Sequence, residues 1–278
     1  MSGTTTIKNW IGRSAPDYYI MFVKAWLPFN AWYMTNLYSE DENRVHDKDI
    51  VYHVMTKSNL FRDRLYALIS GTDDDSIQFK EKVACLSKAL EKYPLPSVEE
   101  QLSFSRVSIE NNPNARKTGN KKAGKFTCTS RFDEKLPRTA ARWILEVAKT
   151  KGAQTIGIIE LHKCSDYELA QNSFYQSQDD SVKEALRYCL NAINPDMHTS
   201  VVHSKSGSPR PPQDCIVMSS ERRLYFINNK DYVCRAVIKV LYELRCKLFH
   251  GEIDPHDDYL EIYEYAFYIL RTLNQSII

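Results

Sequence analysis

The sequence predicts a mainly α protein, in which N- and C-terminal helices form one helical bundle and a mixed α/β stretch is inserted between them. Three observations point there. Glycine is scarce, 9 in 278 residues, so tight turns and phosphate-cradling loops are few. Apolar residues recur at helical spacing in the first third of the chain and again in the last fifth. Between these regions the periodicity breaks, and one short isoleucine-rich run reads as a strand.

The elements follow in order. Residues 16–38 carry Phe22, Trp26, Phe29 and Tyr33 at helical spacing; Pro16 suits a first-turn position with Ser14 as a cap. Pro28 should bend this helix or divide it in two. Residues 47–69, with Ile50, Val51, Val54, Leu60, Phe61, Leu65 and Leu68, read as a second helix that stops at Gly71. Residues 75–93 form a third, ended by Pro94 and Pro96. The stretch 111–125 has no apolar periodicity and reads as a loop. Residues 136–151 (Ala140, Ala141, Ile144, Leu145, Val147, Ala148) fit another helix, 155–162 a strand, and 179–194 a helix. Residues 203–214 read as a loop, and 215–218 and 223–227 as a hairpin. Two strong helices close the chain. In 230–249, Val233, Val237, Val240, Leu241, Leu244 and Leu248 make a stripe that ends at Gly251. Asp254-Pro255 then reads as a cap and first-turn proline for 256–275. The organisation predicted is thus 14–93, 94–227 and 228–278, with the middle segment an insertion or a separate domain.

Lys+Arg is 37 and Asp+Glu 35, a net charge of +2, which excludes a globally basic nucleic-acid coat and an acidic disordered tail. That near balance averages unlike regions. The stretch 111–125 holds five basic residues and no acid, whereas 252–264 holds six acids, Glu252, Asp254, Asp257, Asp258, Glu261 and Glu264. No signal peptide and no membrane span is legible. The 7 cysteines stand at scattered spacings without a zinc pattern, which fits reduced thiols in a cytoplasmic protein that does not engage a membrane.

Gly119–Lys125 reads G-x4-G-K, but Phe126 stands where a P-loop needs Ser or Thr for Mg²⁺, and no apolar strand precedes it. A flexible basic loop is the better reading, and such a loop could contact RNA phosphates through Arg116, Lys117, Lys121, Lys122 and Lys125. His250, Glu252, Asp254, His256, Asp257 and Asp258 have metal-ligand chemistry, yet no zinc or calcium spacing; a helix start explains the acids. No local Cys/His signature supports a thiol nucleophile.

Arg245 and His250 are the sharper pair. Arg is a bidentate phosphate donor that stays charged, and His moves protons near neutral pH. Together they suffice to cleave a phosphodiester without a metal or cofactor. Five residues apart on a straight helix they are separated by roughly 140°. Loosening of the helix at Phe249 to Gly251 would bring His250 toward Arg245. The plainer reading is a helix-terminal Arg and His facing the C-terminal dipole.

The segment YELRCKLFHGE (242–252) resembles the HEPN superfamily of nucleotide-binding and ribonuclease domains, whose hallmark is Arg, four to six residues, then His. The LFHG ending is similar to a subgroup in bacterial defence and toxin-type proteins, as is AWLPFNAWY (25–33) to that subgroup's first helix. The resemblance covers the two chain ends. It implies a HEPN-like helical bundle that pairs as a homodimer with a composite cleft. It implies RNA as substrate, cut independently of metal to 2′,3′-cyclic phosphate and 5′-OH ends, and a possible antitoxin or regulatory protein as partner. It assigns Arg245 and His250 as the catalytic pair, with Asn30, Glu243, Cys246 and Lys247 lining the cleft. A packed Asn satisfying the bend at Pro28 explains Asn30 equally well. Cys246 departs from the family's usual Asn, Asp or His and hydrogen-bonds poorly. A non-catalytic RNA- or protein-binding module is the alternative implied.

Overall fold

A computed structural model describes residues 17–42, 44–95, 101–137, 139–253 and 256–277. Ser14, Pro16, Pro96, Asp254 and Pro255, read above as caps and helix stops, lie outside the described residues. The mainly α expectation is corrected. The described residues are 48% helical and 20% strand, with a four-stranded antiparallel sheet, so the fold is mixed α/β. The chain divides into two compact units, one from residues 1–107 and 199–278, the other from 108–198.

In the first unit, α1 (Tyr18–Asn36) starts where the Asp17 side chain accepts the Ile20 N–H at 3.2 Å. It buries Phe22, Ala25, Trp26, Phe29 and Tyr33. Pro28 does not divide it: the proline sits on the exposed side of a helix that runs on unbroken. The region read as one helix is two, α2 (Asp47–Thr56) and α3 (Leu60–Ser70). Asn59 makes the break. Its amide donates to Val54 O and Lys57 O, and its Oδ1 accepts the Arg62 N–H at 3.0 Å, closing one helix while capping the next. α4 (Asp74–Lys92) is capped by Asp73, which accepts the Ser76 N–H.

The second unit corrects two expectations. β1 (Val107–Asn111) is followed by β2 (Thr118–Ala123), β3 (Phe126–Phe132), β4 (Trp143–Lys149) and β5 (Thr155–Leu161). β2 to β5 form the antiparallel sheet in chain order. So 111–125 is not all loop, and 136–151 is not a helix. Ile144, Leu145 and Ala148 matched a helical period, but Leu145 and Val147 alternate onto one sheet face between two flanking strands. Strand pairing overrides the helical reading there. β2, which has no apolar run of its own, is a strand because β3 pairs with it across a two-residue turn in which Gly124 takes φ +57°. Two short helices, α5 (Asp166–Gln171) and α6 (Ser173–Gln176), precede α7 (Asp180–Ile193). Val182, Ala185, Leu186, Cys189 and Leu190 of α7 close the core over Cys128, Leu145, Val147, Ile159 and Leu161. β6 (Asp196–Thr199) pairs with β1.

The chain returns to the first unit through the hairpin of β7 (Cys215–Ser219) and β8 (Leu224–Ile227). α8 (Lys230–Phe249) and α9 (Asp257–Asn274) follow. α9 packs on α1 and α4, and α8 packs on α2 and α3. His256 caps α9, its Nδ1 accepting the Asp258 N–H. Among the described residues no helix is long and apolar enough to cross a membrane. Among the described residues, which include all seven cysteines, no disulfide is formed.

Candidate functional site

The end of α8 carries the residues on which the resemblance rests. Leu244 is wholly buried in the α8 stripe, so Arg245 beside it emerges at the border of the core. Its guanidinium lies 3.0 Å from Asp47 Oδ2 at the first residue of α2. Asp47 Oδ1 accepts from the Tyr33 hydroxyl, which also lies 2.5 Å from Asn30 Oδ1. A phenol has one proton, so it serves both contacts only if Asn30 presents its Nδ2 to the phenol oxygen. A chain of polar groups therefore runs from Asn30 through Tyr33 and Asp47 to Arg245, joining α1, α2 and α8. The Arg245 side chain is 20% exposed and that of Asp47 27%.

The electrostatics agree with this network. Burial works against the Arg245 charge, but Asp47 outweighs it with help from Cys246 and Tyr33, and the guanidinium is held above its ordinary value. Burial, then the hydrogen bond to the Asp47 carboxylate, pushes Tyr33 up, so the phenol keeps its proton. Burial also raises the Cys246 thiol, against opposing hydrogen bonds from Tyr242 and Arg245. Arg245 Nη1 lies 3.9 Å from Cys246 Sγ, and the guanidinium lies over Phe249 at 4.8 Å. Arg245 Nε is buried with no hydrogen-bond partner among the described residues.

His250 sits one step beyond α8 as its cap residue, exposed, its N–H bonded to Cys246 O at 2.9 Å. Gly251 at φ +65° reverses the chain. Its N–H meets Leu248 O at 3.3 Å, and the Glu252 N–H meets Lys247 O at 2.9 Å, a Schellman closure. The His250 imidazole has no hydrogen bond or ion pair among the described residues, and none joins it to Arg245. Asn30 and Cys246 thus belong to the Arg245 network. Glu243 pairs instead with Lys239 at 2.6 Å, and Lys247 with Glu252 at 3.5 Å.

The basic stretch is distributed by strand alternation. Arg116 and Lys117 are exposed ahead of β2. Lys121 points to the α7 side, over the Tyr188 ring at 4.8 Å; Lys122 takes the opposite face; Lys125 lies in the turn over Phe126 at 5.3 Å. None of the five forms an ion pair among the described residues. The near P-loop, Gly119 to Lys125, is β2 with its turn, not a loop opening a helix. Among the described residues no three His, Cys, Asp or Glu side chains converge as a metal site.

Asp47 and Tyr242 escaped sequence reasoning. Asp47 is remote in sequence from Arg245, and an acid in a first helical turn reads as a dipole partner. No protein-family model, curated protein or solved structure matches the chain.

Proposed function

We propose that this protein is a metal-independent endoribonuclease using Arg245 and His250, of the kind the HEPN resemblance implies. One observation carries the reading. The end of α8 presents a fixed guanidinium with a buried N–H that has no hydrogen-bond partner among the described residues, and just beyond the helix an exposed imidazole that likewise has none among them. In the reaction the imidazole takes the ribose 2′ proton. O2′ then forms its bond to phosphorus, the P–O5′ bond breaks, and a proton goes to the leaving 5′ oxygen. Arg245 balances the charge that builds on the pentavalent phosphorus. The products are a 2′,3′-cyclic phosphate and a 5′-OH. The protein acts as a homodimer, so one copy's His250 serves as base and its partner's as acid. The setting is phage defence or a toxin-like system held by an antitoxin or regulatory protein. Seven cysteines without a disulfide among the described residues fit the reducing cytoplasm.

Incubation of the purified protein with RNA in EDTA tests this. His250→Ala and Arg245→Ala are expected to lose about 10²–10⁴ in cleavage rate, with cyclic-phosphate ends on the wild-type products. Equal cleavage by wild type and His250→Ala refutes it. One observation favours a second reading, a non-catalytic RNA- or protein-binding module. Asp47 neutralises Arg245 and leaves it one-fifth exposed, as suits a structural arginine. EDTA-resistant cleavage that depends on Arg245 rules that module out.

A further inference from the structure

In the second unit, β2 runs tightly along α7. A Cβ on Gly119 would stand 2.6 Å from Cys189 O and 2.9 Å from Cys189 Cα, so only glycine permits this approach. Ser130 Oγ clamps the two elements, accepting the Gly119 N–H at 3.1 Å and donating to Cys189 O at 2.7 Å. At one end the Arg116 N–H donates to Ala192 O at 2.7 Å. At the other, Lys121, on the same strand face as Gly119, places Nζ 4.8 Å from the Tyr188 ring centroid. Tyr188 and Ala192 are four apart and share one face of α7. The basic segment therefore passes Arg116 and Lys117 at one helical turn of α7 and Lys121 at the next, where the Tyr188 ring, 43% exposed, lies beside Lys121.

The cations along this edge, Arg116, Lys117 and Lys121, form no ion pair among the described residues, whereas Arg62, Arg222 and Arg245 of the first unit are each paired with an acid. A row of free cations beside an exposed aromatic ring is the chemistry that holds a single nucleic-acid strand, phosphates on the cations and a base on the ring.

We propose that Tyr188, with Arg116, Lys117 and Lys121, is a stacking site for single-stranded RNA. This rests on the reading of RNA as the substrate and adds where and in what form the strand is held. Lys121 is a flexible point charge. It leaves the Tyr188 ring for a phosphate, and a base takes the vacated face. A duplex hides its base faces in the stack, so it gains the cations alone. An acidic polypeptide likewise gains nothing from the ring.

Fluorescence anisotropy with the full chain bearing His250→Ala keeps the RNA intact and tests binding apart from cleavage. A wild-type chain that fails to cut RNA would end the nuclease reading and leave this measurement standing. A short labelled single strand, its duplex and polyglutamate are the probes. Tyr188→Ala is expected to weaken single-strand binding about tenfold, with an unchanged circular dichroism spectrum, while Tyr188→Phe retains it. Tyr167→Ala, which removes a tyrosine 50% exposed elsewhere in the unit, also leaves it unchanged. Lys121→Ala should lower the slope of log affinity against log salt by about one. Tyr188→Ala binding like the parent, a duplex bound as tightly as the strand, or polyglutamate bound as tightly as RNA would each overturn the proposal.

Discussion

Arg245 is anchored by a carboxylate from the far end of the first unit's sequence, and that anchor decides what the residue is free to do. An arginine buried at its Nε and tied at Nη1 keeps a fixed plane. It can meet a phosphate only through the part of the fork that Asp47 leaves open. Removing the carboxylate charge leaves a mostly buried cation poorly compensated. Asp47→Asn is therefore expected to destabilise the chain by about 1–3 kcal/mol in urea unfolding at neutral pH. Adding Arg245→Met to that variant should recover part of the loss, because the uncompensated charge goes with it. An Asp47→Asn variant as stable as wild type would mean the pair contributes nothing and the guanidinium is positioned by Phe249 and Trp26 alone.

At the scale of elements, the ends matter more than the middles. Asn59 converts one apolar-periodic run into two helices, and Gly251 ends α8 in the conformation that leaves His250 outside the core. α2 also holds a titrating group. Burial first, then Arg44 and Lys57, lowers His53 below its ordinary 6.5. In the interval between the lowered value and 6.5 the unfolded chain binds the proton and the folded chain does not. Stability is thus complete above about pH 6.5 and falls as the pH drops through that interval. His53→Gln should flatten this limb of a stability–pH curve measured by urea unfolding. A limb of unchanged slope in the variant would assign it to other groups.

At the scale of the whole molecule, each unit has its own buried core. The second closes α7 over four strands with Cys128, Leu145, Val147 and Leu186 wholly inside. A unit with its own core is expected to fold alone. Residues 108–198 expressed by themselves should give a dispersed amide spectrum and a cooperative melt. A collapsed, non-cooperative fragment would show that this core needs the rest of the chain.

The amino-acid sequence alone determined the helices whose apolar stripes repeat locally. α1, α4, α7, α8 and α9 lie where the spacing predicts them, and β5 and the β7–β8 hairpin lie in their apolar runs. It also displayed Arg245, His250 and the basic stretch as residue types with a chemistry. Tertiary structure alone decided the fold class. β2 has no apolar pattern of its own, and β4 carries a pattern that also fits a helix. Both become strands by hydrogen bonding to β3, a pairing that the apolar spacing of neither segment displays. Tertiary structure likewise chose the partners. Asp47 reaches Arg245 because α2 packs on α8, and Tyr188 meets Lys121 because Gly119 lets β2 lie against α7. Periodicity is a property of neighbours in the chain. Ion pairs, strand ladders and stacked rings are properties of neighbours in space, and those depend on how distant elements pack.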